Sequence, residues 1–162
     1  MREDEDWQSA LTWMILPVGR IWYRAVSNAF VNFGMSFSTA APILAISKLG
    51  DGSRQNVIAK AIGVDNAAMV RSIDELESLG LVERRDDPDD RRAKALFLTK
   101  KGRVLAKELG SLAEDIRKRA LADVTAASGK AAVSVLRNLE RAAATMLMGD
   151  KHASADMQSN GT

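Results

Sequence analysis

Between Glu83 and Lys94 the chain interleaves Arg84, Arg85, Arg91, Arg92 and Lys94 with Asp86, Asp87, Asp89 and Asp90. A protruding loop tipped with guanidinium groups suits a narrow minor groove, whose negative potential favours arginine, and a neighbouring carboxylate holds such a side chain extended. Standing alone, a run of this kind is more often a solvated turn. The second candidate is Arg71, one turn after the small residues Asn66, Ala67 and Ala68 and beside Ser72. Small residues let a helix backbone approach a major groove, and an arginine one turn on reaches O6 and N7 of guanine. The alternative for Arg71 is an exposed pair with Glu75, worth about 0.3–0.5 kcal/mol. Ser53 and Gln55, at the start of the preceding helix, are placed to bind phosphate through side chains and helix amides, which positions a protein without reading sequence.

Other chemistry is hard to assemble from this chain. Cysteine is absent, which excludes a disulfide framework, thiolate metal ligands and thiol redox sensing. The single histidine, His152, leaves no multi-histidine metal site and no Ser-His pair within one chain. A carboxylate pair such as Asp89 with Asp90 sits on an exposed loop with nothing to raise a pKa. No enzyme activity, cofactor or metal is therefore expected. The 23 Lys and Arg against 21 Asp and Glu give a net charge of only +2, so a nucleic-acid surface must come from local clustering. The apolar run at residues 11–18 is about half of a membrane span, and the opening MREDED is acidic where a secretory signal is basic. A cytoplasmic protein with no membrane partner is expected.

The elements that must hold these residues follow from periodicity. Apolar residues at three- and four-residue steps from Trp7 to Phe33 predict a long first helix, with Pro17 marking a kink or a late start and Gly34 ending it. Ser38 is a candidate cap for a second helix to Leu49, and Ser53 for a short third one ending at Gly63. Asp65 caps a fourth, whose Met69, Val70, Ile73, Leu76 and Leu79 form the apolar face. Two short helices joined by such a turn make a helix-turn-helix. Residues 81–85 and 93–98 read as the strands of a hairpin, a wing. Thr99 and Ser128 cap two further helices whose apolar faces exceed what a small lobe can cover, which predicts a homodimer. The fold class expected is mostly α with a small β-hairpin wing. Its organisation is an N-terminal helix at 1–37, a DNA-binding lobe at 38–98, C-terminal dimerisation helices at 99–149 and a flexible tail at 150–162.

The stretch LVERRDDPDDRRAKALFLTKKG, with Asp87, Pro88, Asp90, Arg91, Arg92, Leu98, Thr99 and Gly102, resembles the wing and following helix start of the MarR family of transcriptional regulators. Upstream, IAKAIGVDNAAMVRSIDELESLGLVERR is similar to that family's helix-turn-helix, most closely its SlyA-like branch, with Arg71 at the DNA-reading arginine position. The resemblance implies a homodimeric winged helix-turn-helix repressor. Its fourth helix would enter successive major grooves of a pseudo-palindromic duplex, and wing residues Arg85, Asp90, Arg91, Arg92 and Lys94 would reach the minor grooves. It further implies an effector, a small aromatic carboxylate or lipophilic molecule, held where the dimerisation helices meet the lobe. Arg20 and Trp22 match the RxW of the SlyA-like pattern, and Phe37, Ala40 and Leu44 would line the cavity, Ala40 replacing that pattern's tryptophan. Against this stands a reading as a winged-helix protein–protein adaptor without DNA, distinguished by salt, since phosphate contacts make affinity fall steeply with ionic strength.

Overall fold

The computed structural model describes residues 6–87 and 93–159, with side chains as far as Leu147. Its elements in chain order are α1 (Trp7–Asn32), α2 (Phe37–Leu49), β1 (Ser53–Arg54), α3 (Gln55–Ile62), α4 (Asn66–Ser78), β2 (Val82–Asp86), β3 (Lys94–Leu98), α5 (Lys100–Ala120) and α6 (Ala126–Ser159). The strands form one antiparallel sheet in the order β1-β3-β2, with Val82 opposite Leu98, Asp86 opposite Lys94 and Ser53 opposite Leu96. The fold is mostly helical with a wing following a helix-turn-helix, as the periodicity predicts.

Local chemistry explains the joints. Gly63 ends α3 in the left-handed region at φ +74°, which costs a residue without a Cβ little, and its amide bonds back to Ala59 and Lys60. Two residues later the Asp65 carboxylate accepts the amide of Ala68 at 2.7 Å and starts α4. Thr99 does the same for α5, its Oγ1 accepting the amide of Gly102 at 3.0 Å.

Three expected caps move. Ser36 rather than Ser38 caps α2, accepting the Thr39 amide at 3.1 Å, because Ser36 is where the backbone is still extended. Thr125 rather than Ser128 caps α6, and Ser128 is the donor of that bond. Ser53 caps nothing: it pairs in β1, its hydroxyl donates to the Gly50 carbonyl at 2.8 Å, and Arg54 stands at the start of α3 without a side-chain cap bond. Pro17 does not delay α1, which runs through it from Trp7. The carbonyl of Trp13, left without its helical donor, lies in an exposed stretch where water can serve it. At the other end α6 continues to Ser159 where a tail is expected. Absence of an apolar period there does not oppose helix in a segment free of Pro and, as far as Ser159, of Gly.

One core joins α1 to α5. Phe30 of α1, Ile43 and Ile46 of α2, Ile58 of α3, Met69, Ile73 and Leu76 of α4, Leu96 of β3 and Leu109 of α5 are fully buried together. The expected boundaries at 37/38 and 98/99 therefore part no cores: Val26 and Phe30 on one side, and Ala106, Leu109 and Ile116 on the other, complete the lobe's interior. This unit extends to Arg119, and a second begins at Ala120. Val70 and Leu79, expected in the core, are exposed, because the buried stripe of α4 follows residues 69, 73 and 76 alone. Large apolar residues also stay uncovered on α1 (Trp7, Trp13, Leu16, Ile21) and on α6 (Val133, Leu136, Met146, Leu147). Among the described residues no single helix is long and apolar enough to cross a membrane.

Candidate nucleic-acid interface

On α4 the residues left outside the core form a stripe at helical spacing: Asn66, Ala67, Val70, Arg71 and Asp74 are all exposed. Its acids are bound. Arg84 of β2 pairs with Asp74 at 2.7 Å and with Glu77, whose Oε1 also accepts the Arg84 amide at 2.9 Å. Glu75 accepts the hydroxyl of buried Thr39 at 3.2 Å, so the pairing of Glu75 with Arg71 weighed above is not made. Arg71 has no hydrogen bond or ion pair among the described residues. The first turns of α4 thus offer a free guanidinium, small side chains and helix amides, while Asp74 and Glu77, which would repel phosphate, are neutralised by Arg84 further along.

The wing is fixed at its base. Asp87, nearly buried, accepts Nε of Arg54 at 2.7 Å and Nη2 at 3.1 Å, a fork geometry that ties the end of β2 to the start of α3. Arg85 lies with its guanidinium carbon 4.3 Å from the centre of the Phe97 ring and pairs with Glu83. Lys94 pairs with Asp86 across the strands. Residues 88–92, carrying Asp90, Arg91 and Arg92, lie outside the described residues.

Behind the wing, α5 presses on the connection from α4. The Thr99 hydroxyl donates to the Gly80 carbonyl at 2.7 Å, the Thr99 amide to Leu81 at 3.1 Å, and Lys101 Nζ to Leu79 at 3.1 Å. A Cβ on Gly102 would lie 2.0 Å from the Leu81 carbonyl oxygen, so only glycine permits this approach. Asp51 ties β3 to α5 by accepting the Leu98 amide at 2.9 Å and pairing with Arg103. Burial pushes its carboxyl up, but the Leu98 amide and the Arg103 guanidinium, with Arg85 further off, together hold it below the ordinary carboxylate range.

The family model of the MarR family matches residues 33–93, from the end of α1 through the wing. The matched lobe, residues 33–93, is of the MarR type. That match supports a DNA-binding regulator. It is similar to CouR of Rhodococcus jostii RHA1, a structure bound to p-coumaroyl-CoA, at 26% identity over 80% of this chain and 90% of that one, with a TM-score of 0.71. A MarR-family regulator from Rhodococcus sp. RHA1 (24% identity, 84% and 96% covered, TM-score 0.70) and BldR from Sulfolobus solfataricus (23%, 86% and 99%, 0.73) share the fold.

In this MarR-family lobe the expected DNA-contacting residues divide. Asn66, Ala67 and Arg71 share the exposed stripe, whereas Ala68 and Ser72 are half-buried and line an internal cavity instead. Gln55 is the first residue of α3 and half-buried, and Ser53 has already committed its proton to Gly50. Sequence reading missed Val70, which it took for core, and the two arginines that act as braces, Arg54 and Arg84. The signal for Val70 was its position four residues after Asn66 on the outward face.

The expected effector residues do not converge. Arg20 and Trp22 lie on the exposed part of α1, Ala40 is wholly buried, and none of the three lines a described cavity. Phe37 and Leu44 do. One cavity, about 270 Å³, is lined by Phe37, Ala41, Leu44, Ala45, Lys48, Leu49, Ala61 and Ile62. The other, about 210 Å³, is lined by Tyr23, Phe37, Ser38, Ala41, Ile62, Gly63, Val64, Ala68 and Ser72. Phe37 stands edge-on to Tyr23 at 5.4 Å and to Phe30 at 5.6 Å. Among the described residues no group of three His, Cys, Asp or Glu is close enough to hold a metal ion.

Proposed function

We propose that this chain is a repressor that binds a pseudo-palindromic operator as a homodimer and is released by a small aromatic or lipophilic effector. The observation that carries the DNA reading is the charge arrangement of α4, where Asp74, Glu75 and Glu77 are engaged and Arg71 is left unpaired on the exposed edge. Arg71 would contact guanine O6 and N7, and Val70 the methyl of a thymine, while Asn66 and Ala67 lie against the groove edge. Arg85, Lys94 and the wing residues Asp90, Arg91 and Arg92 would serve the flanking minor groove, and Gln55 and Ser53 a phosphate. Exposed apolar faces on α1 and α6 support pairing of two copies, which on one-turn half-sites sets the recognition helices roughly 34–36 Å apart.

The effector reading rests on the two cavities that share Phe37, Ala41 and Ile62. Lys48, at the edge of the larger one, offers a carboxylate its only cation there, and the rings of Phe37 and Tyr23 offer an aromatic face. Because Ala68 and Ser72 of α4 wall the smaller cavity, a molecule filling it acts directly on the recognition helix. To shift the equilibrium it must bind the DNA-incompetent arrangement better than the competent one, and about 1.4 kcal/mol of difference weakens operator binding tenfold. That p-coumaroyl-CoA is bound to the relative CouR adds aromatic acyl thioesters to the candidates. The test is footprinting of the purified protein on its own upstream region with aromatic acids, lipids and acyl thioesters added in turn. A symmetric footprint that one of them abolishes supports the reading, and affinity independent of salt and sequence overturns it.

A further inference from the structure

We infer that the hydroxyl of Thr39 keeps Arg71 available to DNA by holding the carboxylate of Glu75 away from it, which makes Thr39 and Glu75 positioning residues for the recognition helix. The inference rests on the reading of Arg71 as the base-contacting residue. Arg71 and Glu75 lie one turn apart on α4, both exposed, at the spacing where opposite charges on a helix meet. Here they do not meet. Glu75 Oε2 instead accepts the hydroxyl of Thr39 on α2, a residue only 4% exposed, at 3.2 Å. Glu75 shares a flank of α4 with Ala68 and Ser72, which line the smaller cavity. Drawn to that flank, its carboxylate leaves the Arg71 guanidinium without a partner among the described residues.

The hold on Glu75 is built from three hydroxyls. Ser36 Oγ lies 2.7 Å from Thr39 Oγ1 and 2.8 Å from Ser38 Oγ, and it accepts the Thr39 amide at 3.1 Å. Each hydroxyl has one proton to give, and an ionised carboxylate only accepts. The Thr39 proton goes to Glu75, so Ser36 must donate to Thr39 and Ser38 to Ser36. The donors therefore run one way, from Ser38 through Ser36 and Thr39 to Glu75, and bonds aligned like this reinforce one another. Ser38, at the head of the chain, lines the smaller cavity. An occupant whose acceptor draws off the Ser38 proton weakens the hold, and a released Glu75 turns to Arg71 and competes with DNA for it.

The test is a set of variants bound to one duplex selected from a random library. Thr39→Val keeps the shape of the side chain and removes the donor. It should weaken binding about twofold or more at ~50 mM salt, the size of one exposed helical ion pair. Adding Glu75→Ala to Thr39→Val should restore the wild-type affinity, and Thr39→Ser, which keeps the hydroxyl, should retain it. In the free protein the NMR signal of the Arg71 Nε–H group should shift in Thr39→Val and return in the double variant. Circular dichroism reports whether each variant is folded, and if Thr39→Val is not, Thr39→Ala takes its place with the same expectation. If either the affinity or the Arg71 signal of the hydroxyl-less variant stays at its wild-type value, the inference fails. If binding weakens and Glu75→Ala does not restore it, Thr39 acts through packing alone and the inference is again overturned. If Arg71→Ala binds like wild type, the reading of Arg71 itself falls.

Discussion

Replacing Gly102 by alanine opposes two effects of known sign. Alanine is the better helix former by about 0.8–1 kcal/mol. Its Cβ, however, would lie 2.0 Å from the Leu81 carbonyl oxygen and 3.0 Å from the carbonyl carbon. Since carbon–oxygen contacts close to about 3.3 Å, α5 or Leu81 must give by more than about 1 Å. The same oxygen accepts the Thr99 amide at 3.1 Å, and the Gly102 amide donates to Thr99 at 3.0 Å, so retreat also loosens the cap. Overpacking costs about 1–3 kcal/mol and a weakened cap about 1 kcal/mol, which leaves a net loss of about 1–3 kcal/mol. For a chain of this size that lowers Tm by about 2–12 °C. Gly110 of the same helix has open space around its Cβ, so Gly110→Ala should stabilise by about 0.5–1 kcal/mol. Thermal melts at one fixed protomer concentration compare them, since dimerisation makes Tm concentration-dependent. If Gly102→Ala melts at or above wild type, the close approach of α5 to Leu81 is refuted.

Four other outcomes are expected. Arg71→Ala should weaken specific DNA binding by about 1–3 kcal/mol and relax sequence preference, as competition binding with mutated duplexes would read. Arg84→Ala leaves Asp74 and Glu77 unneutralised beside the stripe, so it should lower stability by about 1–2 kcal/mol in chemical denaturation and weaken binding to every duplex. Asp51→Asn should destabilise at neutral pH. Because the folded-state pKa is depressed, the carboxylate's contribution is complete above its ordinary value and lost as pH falls through the folded one, so in melts the difference from wild type should begin to shrink only below about pH 4 and keep falling with further acidification. Ala41→Leu, at a position shared by both cavities, should blunt release by an effector while sparing operator affinity in gel-shift titrations.

The apolar periods placed the helices from α2 to α5 to within a few residues but not the end of α6, which continues to Ser159 without such a period, and the residues at Asp65, Thr99 and Gly63 announced their caps correctly. Where serines and threonines cluster, at 36–39 and at 125–128, periodicity cannot choose among them, since the choice depends on which residue still has extended backbone. A two-residue strand such as β1 has no period at all and exists only through its pairing with β3. On α4 the exposure of Arg71 was legible from its spacing after small residues, but Arg84 and Arg85, adjacent and alike in sequence, differ entirely in space. Alternation along β2 turns Arg84 back onto α4 and Arg85 onto Phe97. The effector residues were the least legible, because the RxW at Arg20 and Trp22 falls on a stretch of α1 the lobe does not cover, and the cavity walls come from four separate helices.

The most direct measurement is hydroxyl-radical footprinting, with stoichiometry, on a duplex selected from a random library. The account predicts two protomers per duplex and two protected half-sites about 10.5 bp or a multiple of it apart, with Arg71→Ala erasing the protection of both. A single protected patch bound by one protomer, or a footprint unchanged by Arg71→Ala, contradicts it.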